Sequence, residues 1–223
     1  MGCMANEQKE FWSTVAQKYD RVVDLQIGGT TRSMVRERVM KEGRLGELAE
    51  FGCGTGFYTE ALVAKADIVI ATDIAPGMLA VAKERIKAAS VVFQLEDCQL
   101  TSFPDEMFDT AFISLVTHFT EPAKTLSEMR RILKPHGLLI ILNLDPAALH
   151  GVARLRCLIR ILYHGIVGYR VKPPRAFGRN TMTEKQLCDL LVKSRFQVTS
   201  TETIKDTSRS SNIPVEYIRA VKV

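Results

Sequence analysis

Five short apolar runs, each of strand length and separated by stretches of helical periodicity, limit what this chain can fold into. They are Leu48–Phe51, Ile68–Ala71, Val91–Leu95, Phe108–Leu115 and Leu138–Leu144. Runs that are apolar at every position suit strands covered on both faces, as in a parallel sheet. Parallel strands need crossover connections, and the intervening segments supply them. Helical patterns occupy Phe57–Lys65, Pro76–Ala88 and Glu121–Leu133, the last stopped by Pro135-His136-Gly137. In that third pattern Ala123, Leu126, Met129 and Leu133 repeat at helical spacing. The alternation predicts a doubly wound α/β fold. Two patterns precede the first strand. One runs from Glu7 to Val23, with Phe11, Trp12, Val15 and Tyr19 on one stripe, and the other from Ser33 to Lys41 after Gly28-Gly29. At the far end a helix over Thr183–Lys193 leads to strands Phe196–Thr203 and Val215–Val223.

The chain has 223 residues, 46% hydrophobic and 25% charged, enough for one α/β domain with a real core. No apolar run is long enough to span a membrane, and the N-terminus lacks the pattern of a secretory signal. Gly2 stands where N-myristoylation needs it, but Asn6 occupies the position that wants Ser or Thr. Five scattered cysteines form no Cys-x-x-Cys pair and no cluster with histidine. A metal centre, an iron–sulfur cluster and a disulfide framework are therefore not expected, and reduced thiols in a cytoplasm are. The net charge is +5, yet seven basic residues and no acid lie between 150 and 179. The rest of the chain is slightly negative, so the basicity belongs to one local feature.

The chemistry concentrates where the first strand ends. Glu50-Phe51-Gly52-Cys53-Gly54-Thr55-Gly56 joins a strand to a helical pattern, and its glycines let the backbone turn tightly and approach a ligand. A helix beginning near Phe57 would aim free N–H groups and a positive dipole end at a carboxylate. Asp73 ends the second strand, 17 positions after Gly56. An acid there accepts hydrogen bonds from ribose hydroxyls in doubly wound folds, so both features ask for a nucleoside. A dinucleotide loop is Gly-x-Gly-x-x-Gly; this one is Gly-x-Gly-x-Gly, with Phe57 where the third glycine would stand.

With these segments in view, the chain resembles the class I S-adenosylmethionine-dependent methyltransferases, especially the small-molecule branch of ubiquinone/menaquinone-biosynthesis C-methyltransferases. The resemblance is carried by Leu48–Gly56, Ala71–Leu79, Glu96-Asp97-Cys98 and Arg131–Gly137, with Phe11-Trp12 and Tyr19-Asp20 ahead of them. It implies a Rossmann-like methyltransferase fold: a seven-stranded, mostly parallel sheet with the last strand antiparallel. The whole chain would be one methyltransferase domain, with residues 1–42 as a helical cap and 146–180 as a basic lid insertion. The implied cofactor is S-adenosyl-L-methionine. Glu50, Gly52, Cys53 and Gly54 would hold its methionine end, Asp73 the ribose, and Ile74 and Met78 the adenine ring. Asp97 would accept from the adenine amino group with the Cys98 N–H beside it, and Ser114 and Leu115 would lie near the sulfonium. Two departures are Ala75, where the family commonly has a serine N-cap, and His136, where it commonly has glycine.

His118, in the segment after the fourth strand, is a candidate general base if the acceptor must lose a proton. Tyr19 is the second catalytic candidate, with packing in a lid as its other reading. Methyl transfer itself asks the protein mainly for alignment and water exclusion. The acceptor is expected to be a small molecule, anionic or lipid- or quinone-like. Apolar Val152, Leu155, Ile159, Leu162 and Ile166 interleave with Arg154, Arg156 and Arg160, which also suits peripheral contact with a membrane. Nucleic acid ranks lower, because the Asn/Asp-Pro-Pro-aromatic mark of base methylation is missing after the fourth strand. Two alternatives stay open: a non-catalytic S-adenosylmethionine-binding module and an NAD-dependent oxidoreductase.

Overall fold

The computed structural model describes residues 2–145, 180–208 and 213–223, and between these only positions 149, 151, 152, 155, 156 and 159. A helical cap comes first: α1 (Gly2–Val15), α2 (Tyr19–Ile27) and α3 (Gly29–Met40). Then β1 (Glu47–Phe51), α4 (Thr59–Val63), β2 (Ile68–Asp73), α5 (Pro76–Arg85) and β3 (Val91–Leu95) alternate. They are followed by β4 (Phe108–Ser114), α6 (Pro122–Ile132), β5 (Leu133–Leu144), α7 (Glu184–Lys193), β6 (Phe196–Ile204) and β7 (Val215–Lys222). The described strands form one seven-stranded sheet in the order β3-β2-β1-β4-β5-β7-β6. Strands β1 to β5 pair in parallel, and β7 runs antiparallel to both β5 and β6. The expected doubly wound topology, last strand included, is the observed one.

Alternation along the strands divides the core between the two faces. Leu48 and Phe112 point to a cluster shared with Val35 and Val39 of the cap and Leu62 of α4. Their neighbours Ala49 and Ile113 point to the other side, against Leu126 and Met129 of α6 and Leu187 and Leu191 of α7. Burying each of the larger side chains contributes about 1.5–3 kcal/mol, so both faces are firmly covered. The reversal in strand order between β1 and β4 opens a crevice at the carboxyl ends of the strands, the usual ligand position in such sheets.

Several boundaries differ from the sequence expectation; α1 begins at Gly2 rather than Glu7, and α3 at Gly29 rather than Ser33. The first helix breaks over Ala16–Lys18, a single 3₁₀ turn, so that α1 and α2 bend separately around the crevice. The α4 helix starts at Thr59 rather than near Phe57 and is only five residues long. The α5 helix stops at Arg85, where Ile86 turns extended. Strand β5 begins at Leu133, directly after α6; Phe108 pairs with Leu133 and Thr110 with Leu138, so the intervening residues bulge. His136 in this bulge has φ 61°, the left-handed conformation that explains why glycine is common at this turn.

The cap rests on α5 through a close backbone approach. The Gly77 N–H donates to the Ser13 Oγ at 3.3 Å, and a Cβ on Gly77 would lie 2.7 Å from the Ser13 Cα. Phe11, Val15 and Val22 of the cap pack here against Ala75 and Met78. Overpacking of this kind costs about 1–3 kcal/mol. Alanine's helix propensity, at most about 1 kcal/mol better than glycine's, offsets only part of that cost. Gly77→Ala is therefore expected to lower the urea midpoint and to red-shift the emission of Trp12, the sole tryptophan of the chain.

Candidate functional site

The glycine loop turns at three positions of positive φ: Gly52 at 68°, Gly54 at 54° and Gly56 at 82°. Each glycine answers a different neighbour. A Cβ on Gly52 would collide with the Val116 side chain. One on Gly54 would stand 3.4 Å from the Tyr19 ring, and one on Gly56 would press on Ile86 and Ala82. Gly56 thus serves the packing of α5, while Gly52 and Gly54 border a cavity. Three N–H groups of the loop are already spent: Cys53 donates to Thr72, Gly56 to Cys53 and Gly54 to the Asp73 carboxylate. The α4 helix starts later and is shorter than expected, and with three N–H groups spent the loop is poorly equipped to cradle a pyrophosphate.

Asp73 fixes the cavity wall. One carboxylate oxygen accepts the Gly54 N–H at 3.0 Å and the other the Ala75 N–H at 2.9 Å. Burial pushes its pKa up to about 6, against the pull of those N–H donors. The second of these bonds holds the start of α5, where Ala75 has no side-chain cap to offer.

A cavity of about 670 Å³ opens beside this carboxylate. Tyr19, Gly52, Gly54, Asp73, Ile74, Met78, Asp97, Cys98, Ser114 and Leu115, all singled out from the sequence, line it. Asp97 is steadied by the Gln99 N–H at 2.9 Å. Leu115 takes φ 57° just past β4, a strained conformation for leucine that turns the chain around the cavity floor. A second cavity of about 290 Å³ lies behind the glycine loop, and Cys53 lines it with Arg32 and Tyr58. Gly52, Gly54, Tyr19, Ser114 and Leu115 belong to both. Burial pushes the Tyr19 phenol and the Cys98 thiol each up to about 12 and the Cys53 thiol well above its ordinary value. The site therefore holds neutral thiols, not nucleophilic thiolates. No cluster of metal ligands occurs among the described residues.

Two singled-out residues line neither cavity. Glu50 is fully buried beneath the loop; its Oε2 accepts from the Thr59 hydroxyl at 2.7 Å and its Oε1 has no partner. Burial, together with the nearby Asp73 charge, pushes its pKa up to about 8. His118 is buried in the 3₁₀ turn Thr117–Phe119, with an unpartnered Nδ1 and its ring 3.9 Å from that of Phe119. Burial pushes its pKa down to about 4, so it is neutral near pH 7.

These residues suit an adenosyl ligand. The lining offers a fixed carboxylate, a second carboxylate after the neighbouring strand, the apolar side chains of Ile74 and Met78, and a backbone edge that glycines keep open. Residues 49–141 match the family described as a methyltransferase domain.

Over this stretch the chain is similar to methyltransferases.

Two curated relatives agree. A demethylmenaquinone methyltransferase of Bacteroides fragilis is 30% identical over 154 residues, 64% of this chain and 62% of its own length. A ubiquinone/menaquinone biosynthesis C-methyltransferase of Vibrio cholerae is 32% identical over 156 residues, 66% of this chain and 60% of its own. The match thus spans about 60% of these relatives' length. Among solved structures, the N-methyltransferase NodS of Bradyrhizobium japonicum, in complex with S-adenosyl-L-homocysteine, superposes with TM-score 0.65 at 14% identity, covering 88% of this chain and 87% of that one.

The cavity also recruits residues that the sequence did not single out for the site. Gln8 and Trp12 of α1 and Val116, Phe119 and Thr120 after β4 complete the cavity wall. Trp12 meets Tyr19 and Phe119 edge-on, at 5.8 Å and 5.1 Å between ring centroids, and Gln8 donates to the Phe119 carbonyl at 3.1 Å. The apolar stripe through Trp12 and Tyr19 was their signal, but it marks a buried face without saying what it buries against.

Glu50 sets a pH dependence. Between its ordinary value near 4.5 and its folded value of about 8, the folded state keeps a proton that the unfolded state releases. Stability then falls as pH rises through that window. Asp73 acts with the same sign, but only up to about 6. Urea midpoints measured from pH 5 to 8.5 are expected to decline in the wild type and to stay flatter above pH 6 in Glu50→Gln.

Proposed function

We propose that this chain transfers the methyl group of S-adenosylmethionine to a small-molecule acceptor and releases S-adenosylhomocysteine. The observation that carries the reading is the Asp73 carboxylate, fixed by two backbone N–H groups at the wall of a cavity that Asp97 also lines. The cofactor supplies an electrophilic methyl on a sulfonium. Asp73 accepts the ribose hydroxyls, Ile74 and Met78 flank the adenine ring, and Asp97 accepts its amino group with the Cys98 N–H beside it. Gly52 and Gly54 leave room for the methionine end, with Glu50 and Cys53 behind them. Ser114 and Leu115 border the reacting atoms. Tyr19, Trp12 and Phe119 exclude water, so alignment supplies most of the catalysis. In this reading His118 stays neutral beside Phe119.

An apolar, planar acceptor of the quinone type fits the aromatic wall and the names of the two relatives. The loop's consumed N–H groups argue against the nicotinamide alternative. A non-catalytic binding module would bind the cofactor and show no turnover on any acceptor. A second observation concerns partners. Val152, Leu155 and Ile159 are exposed and spaced along one helical stripe in a basic segment, most of which lies outside the described residues. That pattern favours peripheral contact with an anionic lipid surface. No described helix is long and apolar enough to cross a membrane.

Ligand at 100 times its Kd adds about 2.7 kcal/mol of stability. Thermal melting with S-adenosylmethionine or S-adenosylhomocysteine is expected to raise Tm by roughly 5–10 °C. NAD(H) should leave it unchanged, and Asp73→Ala should lose the shift; a shift with NAD(H) alone would overturn the reading. Cosedimentation with phosphatidylglycerol vesicles is expected at low salt and should be lost at high salt; no binding at low salt would remove the membrane contact.

A further inference from the structure

The cap and the glycine loop meet at one carboxylate that lines neither cavity. Asp20, the second residue of α2, accepts the Thr55 hydroxyl and an Arg32 N–H at 2.8 Å each on one oxygen, and Arg85 at 2.5 Å on the other. Arg85 also reaches the Thr55 hydroxyl at 3.2 Å. Arg32 comes from α3 and is 2% exposed; it donates further to Asp24 at 2.8 Å and stacks 3.8 Å from the centroid of the Phe57 ring. Asp20 therefore joins α2, α3, α5 and the loop in one network. These groups lie 12, 35 and 65 positions away in sequence, so the link is tertiary.

The residue before Asp20 is Tyr19, whose ring stands over Gly54 and borders both cavities. A helix held at Asp20 holds Tyr19 in that place. On the loop side the same carboxylate grips Thr55, the residue between Gly54 and Gly56. Charge-assisted hydrogen bonds of this kind are the strong ones, and buried networks act as units. Nothing in methyl transfer itself calls for these four side chains.

We propose that Asp20 is a positioning residue that couples docking of the N-terminal cap to the shape of the glycine loop, so that Tyr19 closes the ligand cavity only while Thr55 is engaged. The inference rests on the adenosyl-ligand reading above. Coupling is reciprocal: a ligand seated against Gly52 and Gly54 must tighten the cap, and a loosened cap must weaken the ligand.

The test uses the full chain and S-adenosylhomocysteine. Binding is measured by titration calorimetry and by Trp12 emission for the wild type, Asp20→Asn, Thr55→Val and the double variant. Trypsin cleavage after Lys18 and Arg21 is followed with and without ligand. Each single variant is expected to weaken binding at least fivefold. The double variant should bind no more weakly than Asp20→Asn alone, because both substitutions cut the same link. Ligand should slow cleavage of the wild-type cap, and this protection should be lost in Asp20→Asn. If Asp20→Asn does not fold, Thr55→Val, which leaves every charge in place, carries the test. Wild-type affinity in the single variants, or fold losses that multiply in the double variant, would overturn the coupling. A wild type that binds no S-adenosylhomocysteine would overturn the adenosyl reading and this inference with it.

Discussion

The site depends on one buried carboxylate shared between two backbone donors. Asp73 ends β2, and its two oxygens reach back to the loop after β1 and forward to the start of α5. Parallel strands bring these segments side by side, but they do not fix the angle between loop and helix; the carboxylate does. A carboxylate in this position is costly to bury, and its raised pKa measures that cost. The two N–H bonds offset part of it, and the residue also lines the cavity. The same group is thus a structural pin and, in the proposed function, the acceptor of the ligand's ribose.

Around this pin the domain divides its work. The sheet ends and α5 supply one wall, and the cap supplies another through Gln8, Trp12 and Tyr19. The glycine loop belongs to the wall, since three of its N–H groups, those of Cys53, Gly54 and Gly56, are bonded within the protein. What distinguishes ligands is then the shape left between the loop and the rings of Trp12, Tyr19 and Phe119. The neutral thiols of Cys53 and Cys98 add apolar surface to the two cavities and no reactivity.

Much of this was legible in the sequence because its causes are local. Glycines in alternation, an acid at a strand end and the Asp97-Cys98 pair are short segments whose backbone chemistry travels with them, and the structure gathers them around one cavity. The boundaries that shifted have local causes too weak to read: nothing in Phe57-Tyr58 announces that helix geometry waits for Thr59. His118 shows another limit. Its position after β4 is legible, but the turn that faces its ring inward is set by packing against Phe119. Asp20, Arg32, Thr55 and Arg85 form a pattern only in three dimensions, because each is an ordinary polar residue in its own segment.

The helix α1 lies over the cavity mouth, with Gln8 tied to the Phe119 carbonyl and Trp12 wedged between Tyr19 and Phe119. A ligand filling this cavity would be bounded by that aromatic wall on the side of the cap. Its exchange would then be limited by how often the first helix lifts, so the packing of α1, not the sheet, would set the ligand's residence time.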